Sequence, residues 1–181
     1  MERLAQHVIL PAGPGDARAL GDVHVRAWRE TYPGLLPEAY LNALRPEIHA
    51  ARWRRQLSGD GTGEVVLAAE GASGLVGYSA SSLLHAEGRL ADAEVFTLYL
   101  LKAAQGYGLG ARLLGAAASA LSAQGAGSVV IWVLSDNRKA RGFYAHLGGR
   151  VLGERRVRGW GGQLMETAYH WDEIGRLVAE R

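Results

Sequence analysis

Residues 98–114, running from Leu98-Tyr99-Leu100-Leu101 through Lys102-Ala103-Ala104-Gln105 to Gly106-Tyr107-Gly108-Leu109-Gly110 and on to Ala111-Arg112-Leu113-Leu114, leave the chain little structural choice. An apolar run of strand character ends in a short loop, three glycines follow at alternate positions, and an Ala/Leu-rich helix begins. Any fold must feed a strand through a tight turn into a helix here. The glycines let the backbone approach a ligand closely, and the opening turn of the helix offers unpaired N–H groups at its positive end. A diphosphate is the natural occupant of such a place.

Two patterns compete for this stretch. Gly106-x-Gly108-x-x-Ala111 fits a dinucleotide fingerprint, which needs a strand running almost directly into the first glycine and several βα repeats after it. Lys102 to Gln105 intervene, and little chain follows. Gln105-x-x-Gly108-x-Gly110 instead resembles the coenzyme A pyrophosphate loop of the GCN5-related N-acetyltransferase (GNAT) family. A second segment carries the resemblance further. Val129-Val130-Ile131-Trp132-Val133-Leu134 reads as a strand buried on both faces, and Ser135-Asp136-Asn137 supplies a helix N-cap. Ala140, Phe143, Tyr144 and Leu147 then lie on one helical face, closed by Gly148. The order of Asn, Ala, an aromatic-Tyr pair and a closing Gly is similar to the next motif of that family. The N-terminal run Ala27-Trp28-Arg29-Glu30-Thr31-Tyr32-Pro33-Gly34, with Arg52-Trp53 beyond it, also looks like a bacterial branch, so the resemblance spans nearly the whole chain.

The resemblance implies an acetyl-CoA-dependent N-acetyltransferase in which a primary amine attacks the thioester directly within a ternary complex. It places the pantetheine arm along Leu98, Tyr99 and Leu100, with Gln105 closing the loop. The backbone of Gly106, Tyr107, Gly108, Leu109, Gly110 and Ala111 cradles the pyrophosphate, and Asn137 touches the coenzyme. Tyr144 becomes the acid that protonates the leaving sulfur, since a phenol near pKa 10 holds its proton at neutral pH. Glu94 becomes the carboxylate that takes the amine proton, directly or through water, and it faces substrate. Glu166 is a weaker candidate for that role. Tyr32, beside Pro33-Gly34, is the acceptor-wall residue, while Trp28 and Trp53 read as core anchors. Each residue also has a plainer reading: Asn137 as a helix cap, Tyr144 as a buried aromatic, Glu94 as a solvated strand-end acid. Three positions depart from the pattern. Lys102 stands where proline is common and Gly149 where an aromatic follows the capping glycine. Trp132 stands where the ribosomal-protein N-terminal acetyltransferases of the family carry a glutamate base.

The chain lacks cysteine, which excludes disulfides, thiol nucleophiles and thiolate metal sites. No metal is expected. Net charge is +2, and the arginines are scattered apart from Arg155-Arg156-Val157-Arg158, so nucleic acid is not an expected partner. Met1 to Ala5 opens no signal peptide, and no apolar run approaches the ~18–20 residues of a membrane span; a cytoplasmic protein is expected. The acceptor is a small-molecule or peptide amine, with antibiotics, polyamines, amino-acid derivatives and protein N-termini all open. A homodimer is compatible with strand edges near the C terminus. A non-catalytic acyl-CoA-binding sensor on the same fold is the alternative function.

The 181 residues read as one domain, 1–181. Expected strands are Val8–Leu10, a hairpin from Val65 to Ala80, Glu94–Leu101, Val129–Leu134, and a closing hairpin through Gly159–Gly162. Helices are expected after Asp16, across Pro37–Leu57 with an interruption near Pro46, over 108–124, and over 138–147. Ser58–Gly63 reads as an exposed turn. The order βααβββαβαββ predicts an α/β (α+β) fold, a mixed, mostly antiparallel sheet of about six to seven strands with helices on both faces, the order that family shows.

Overall fold

The computed structural model describes residues 7–59 and 63–179; Met1–Ala5 and part of the Ser58–Gly63 turn lie outside the described residues. The chain runs β1 (Val8–Pro11), α1 (Ala17–Thr31), α2 (Glu38–Ala43), α3 (Pro46–Leu57), β2 (Val65–Gly71), β3 (Gly74–Leu83) and β4 (Ala93–Leu100). It continues with α4 (Leu109–Ala123), β5 (Val129–Leu134), α5 (Arg138–His146), β6 (Arg150–Gly159), β7 (Gly162–Trp171) and α6 (Gly175–Ala179). The seven strands form one sheet in the order β1-β2-β3-β4-β5-β7-β6, antiparallel throughout except where β4 meets β5.

Strand alternation sorts the apolar side chains into two layers. Val66 and Ala80 pack with Ala17, Leu20, Val23 and Ala27 of α1 and with Trp53 of α3. Leu67, Ala69, Val95 and Ile131 face the other way, against Leu109, Leu113, Leu114 and Leu121 of α4 and Ile174 and Leu177 at the C-terminal end. Helices therefore cover both faces, as expected.

The expected interruption near Pro46 is present, and the elements differ from expectation in two local ways. The Pro37–Leu57 stretch splits into two helices because Leu44 and Arg45 are extended ahead of Pro46, whose ring disfavours helix in the preceding residue. α6 is additional. Asp16 does not cap α1 with its side chain; its carboxylate accepts from the Gly13 N–H at 2.8 Å, closing a single 3-10 turn ahead of the helix.

The junction of β4 and β5 organises everything that follows. Their register consists of Ala93 opposite Val129 and Glu94 opposite Val130. Asp92 staples this end: its Oδ2 accepts from the Gly127 and Ser128 backbone N–H groups at 3.0 and 3.1 Å and from Ser128 Oγ at 3.0 Å. Beyond Glu94 the two strands part. A bulge helps them do so: Ala80 faces Thr97 while Ser81 faces Val95, leaving Phe96 as an extra residue in β4. The main chain of β4 past the bulge pairs with β3 on one side and opens into the gap on the other.

Candidate active site

Four groups of residues converge on that gap. At its upper end β4 runs through a 3-10 turn, Lys102–Ala104, into the glycine loop. Gly106 and Gly108 adopt φ of +84° and +77°, a region costly for residues with a Cβ, and Gly108 is the N-cap of α4. Arg112 is the first amide after the cap to bond backward, to the Gly108 carbonyl at 3.1 Å. The N–H groups of Leu109, Gly110 and Ala111 thus have no intrahelical acceptor, and no side chain caps them. Leu109 is buried and anchors the turn in the core, Gly110 lies against Phe143 of α5, and the Tyr107 side chain is exposed. Gln105 ties the loop down. Its Nε2 donates to the Leu100 carbonyl at 2.8 Å, and Lys139 Nζ donates to its Oε1 at 2.5 Å.

On the α4 side of the sheet, α5 presents Tyr144. Asn137 begins this helix, and its Oδ1 accepts from the Ala140 N–H at 3.1 Å. The plainer reading of Asn137 as a cap is therefore realised, with its amide Nδ2 left over. Tyr144 packs among Phe143, Tyr169 and Trp171 with ring centroids 5.3, 5.8 and 6.3 Å away. Burial pushes its phenol above the usual value, with Tyr32 adding to the effect. Its hydroxyl bonds to no other described residue. Gly149 is forced by the same packing. A Cβ there would lie 2.7 Å from the Trp171 ring, which fills the room an aromatic at that position would need. Trp171 Nε1 donates to the Leu147 carbonyl at 2.7 Å and locks the helix end.

On the opposite face, α1 delivers Tyr32, whose hydroxyl bonds Tyr99 Oη of β4 at 2.8 Å. Trp28, Leu134, Leu164 and Trp160 complete an apolar cluster around Tyr32. Trp160, at the β6–β7 turn, reaches Trp28 with centroids 5.9 Å apart and has φ +50°. Leu98 and Leu100 point to the α4 core and Tyr99 to the α1 side, so these three residues contribute main chain to the gap.

Two carboxylates share this face. Glu94, opposite Val130, is half-buried, and burial pushes its carboxyl up, with nearby Arg155 opposing and Glu166 reinforcing the shift. Glu166, opposite Leu134, is 7% exposed. Its Oε2 accepts from Arg155 Nε at 2.8 Å and pairs with the Nη2 cation at 2.8 Å, and the guanidinium carbon lies 4.0 Å from the Trp132 ring centre. No group of three or more His, Asp or Glu comes together as a metal site among the described residues. No described helix is long and apolar enough to cross a membrane.

The sequence profile of the acetyltransferase (GNAT) family matches residues 24–149, from within α1 to the turn after α5. The chain belongs to that family. A curated relative, the uncharacterized N-acetyltransferase YuaI of Bacillus subtilis (strain 168), is 29% identical over 163 residues, covering 90% of this chain and 91% of its own length. Among solved structures, the PaiA N-acetyltransferase from Thermoplasma acidophilum, in complex with coenzyme A, superposes with a TM-score of 0.71 at 22% identity, over 88% of this chain and 97% of that one. YncA from Salmonella typhimurium, with its cofactor acetyl-CoA, gives 0.67 at 21% identity over 97% and 96%. These likenesses show a shared GNAT fold.

Within this GNAT frame, the structure brings Tyr32, Tyr99, Tyr144, Glu94 and the glycine loop around one opening. The Tyr99 hydroxyl and the Arg155–Glu166 pair go beyond what sequence reasoning assigned. A signal for the latter existed: the two-residue turn Trp160-Gly161 sets Arg155 directly opposite Glu166.

Proposed function

We propose that this chain, acting as a single domain over residues 1–181, transfers an acetyl group from acetyl-CoA to a primary amine by direct attack in a ternary complex. One observation carries the reading: the internal strand edge opened between β4 and β5 connects a bare helix N-terminus to a buried phenol on one face and to carboxylates on the other. The fit to acetyl-CoA rests on three features of the chain. The free N–H groups of Leu109, Gly110 and Ala111 suit a pyrophosphate. The positive-φ glycines at 106 and 108 keep side-chain bulk away from it. The β4 edge along Leu98, Tyr99 and Leu100, which β5 does not pair, suits the amides of a pantetheine arm, as an added strand would pair.

Acetyl-CoA supplies the electrophilic carbonyl and a thiolate leaving group. Backbone N–H groups of β4 beside Leu98 are preorganised donors for negative charge developing on that carbonyl oxygen. Tyr144 keeps its proton because burial disfavours the phenolate, which suits it to donate and not to accept. Glu94, with its carboxyl raised by burial, takes the proton that an arriving ammonium must lose. Tyr32, fixed by Tyr99, walls the amine. Asn137 offers its remaining amide donors to the coenzyme.

Calorimetric titration with acetyl-CoA, CoA and NADH, followed by thiol release over a panel of amines, tests the reading. Micromolar binding of acetyl-CoA, none of NADH, and amine-dependent thiol release are expected. No binding of acetyl-CoA would remove the proposal, and binding without turnover of any amine would make the protein a sensor.

A further inference from the structure

The mechanism above uses one carboxylate of the acceptor face and leaves the other unexplained. Glu166 is more than nine-tenths buried, and Arg155 occupies only its Oε2. No described residue donates to Oε1. The strand register orients this group. Glu166 stands opposite Leu134, which packs with Tyr32 and Trp28, so the carboxylate lies on the α1 face, where Tyr32 and Glu94 also stand. The Arg155 guanidinium carbon lies 4.0 Å from the Trp132 ring centre, and its Nε donates to Glu166 Oε2 at 2.8 Å. The apolar cluster that Leu134 joins holds a buried orphan: Trp28 is 8% exposed, and its indole N–H has no acceptor. A buried donor without a partner is costly, so Trp28 Nε1 calls for an acceptor, while Glu166 Oε1 is open to a donor.

From this geometry we infer that Glu166 Oε1 is the anchor for the acceptor's ammonium, and that the crevice selects primary amines with an apolar or aromatic body and no carboxylate beside the amine. This inference rests on the acetyltransferase reading. The charge of the face supports it: Glu94 and Glu166 outnumber Arg155, which favours a cation. The walls of Tyr32, Trp28 and Trp160 suit an apolar body and favour a cation near their faces. Past Leu134 and Leu164 a cavity of about 270 Å³ gives that body room, and it is bordered by two further carboxylates, Asp136 and Glu154. Arg141, bonded to the Ser135 carbonyl at 3.0 Å, partly offsets them. A carboxylate on the carbon next to the amine would be brought against Glu94 and Glu166, and unfavourable like-charge contact would reject it. Glu166 thus sets specificity, while Glu94 moves the proton.

The test compares primary amines with their α-carboxylated counterparts, such as 2-phenylethylamine with phenylalanine, on the wild type and on Glu166→Gln. The glutamine keeps the shape and an oxygen for Arg155. The wild type is expected to favour the amine in each pair by about a hundredfold in kcat/KM. In Glu166→Gln, KM for the amine should rise about tenfold, as expected for a lost charged hydrogen bond, with kcat nearly unchanged and the gap between pair members narrowed. Acetyl-CoA titration of both proteins separates the claims: lost binding in the wild type overturns the enzyme reading itself. Intact binding with an unchanged KM in Glu166→Gln, with the carboxylated members preferred, or with no pair turned over, overturns this inference.

Discussion

Replacing Tyr144 with phenylalanine removes one oxygen from a ring that is otherwise held by packing. The ring sits among Phe143, Tyr169 and Trp171 at centroid distances of 5.3–6.3 Å, and those contacts survive the substitution. The hydroxyl bonds no described residue, so its loss strands no partner. Stability should therefore change by less than about 1 kcal/mol. Catalysis should not be spared. A positioned general acid contributes roughly 10²–10⁴-fold, about 3–5 kcal/mol of barrier. Thiol release with saturating amine should fall by that factor in Tyr144→Phe, while the Kd for acetyl-CoA from calorimetry stays within about twofold. Tyr169→Phe is the control, because its hydroxyl accepts from Arg141 Nε at 3.4 Å and belongs to the helix scaffold. The sign of the pH dependence follows from the same burial. A phenol raised above its ordinary value stays protonated through the neutral and mildly alkaline range, so Tyr144 should impose no loss of rate below about pH 10. Wild-type turnover in Tyr144→Phe would refute the assignment. A large fall in melting temperature would refute the claim that the hydroxyl is structurally idle.

Glu94 leads to a complementary expectation. Burial raises its carboxyl above 4.5, so kcat/KM should fall as pH drops through a value above that figure, and Glu94→Gln should lose both that limb and most of its turnover. His24 links acidity to stability in a different way. Its ring stacks 4.0 Å from His49, its Nδ1 lies 2.6 Å from Tyr78 Oη, and burial, then His49 and Arg52, push its pKa down to about 3 from 6.5. The unfolded chain therefore binds the proton first, and stability present above pH 6.5 should drain away between 6.5 and 3 at up to about 1.4 kcal/mol per pH unit. Urea midpoints at pH 7 and pH 5 measure it, and an equal slope in His24→Gln would remove His24 as the cause. Gly149→Ala places a Cβ 2.7 Å from the Trp171 ring and should cost about 1–3 kcal/mol in denaturant unfolding, whereas an unchanged midpoint would show that Trp171 yields freely.

Much of this architecture could be read from residue order because the informative features are local. The Val129–Leu134 run, the Asn137 cap and the glycine turn each fix their own backbone, and each lies where periodicity placed it. The split of α2 from α3 was signalled by Pro46, but its extent depends on how Leu44 and Arg45 pack. Partnerships across the sheet were less legible. The Tyr32–Tyr99 bond joins residues 67 positions apart, and nothing in their spacing foretells that α1 crosses β4 at that point. Arg155 and Glu166 were within reach through the hairpin register, yet the burial of Glu166 and the seat of Arg155 beside Trp132 are not measured by strand alternation alone. The parting of β4 and β5 begins beside the bulge at Phe96, and no residue type at that position announces it.

That parting has a consequence for the molecule's solubility. A strand edge with bare N–H and C=O groups is usually the place where one chain recruits another into an aggregate, and most sheets keep such edges short or charged. Here the bare edge lies in the middle of the sheet, with β1–β3 on one side of it and β5–β7 on the other. Helix α1 covers one face beside it and α4 and α5 the other, so the edge does not lie on the rim of the sheet. The hazard of an open template is thereby moved away from the place where the sheets of two molecules would meet, and the protein keeps a pairing surface inside its own sheet.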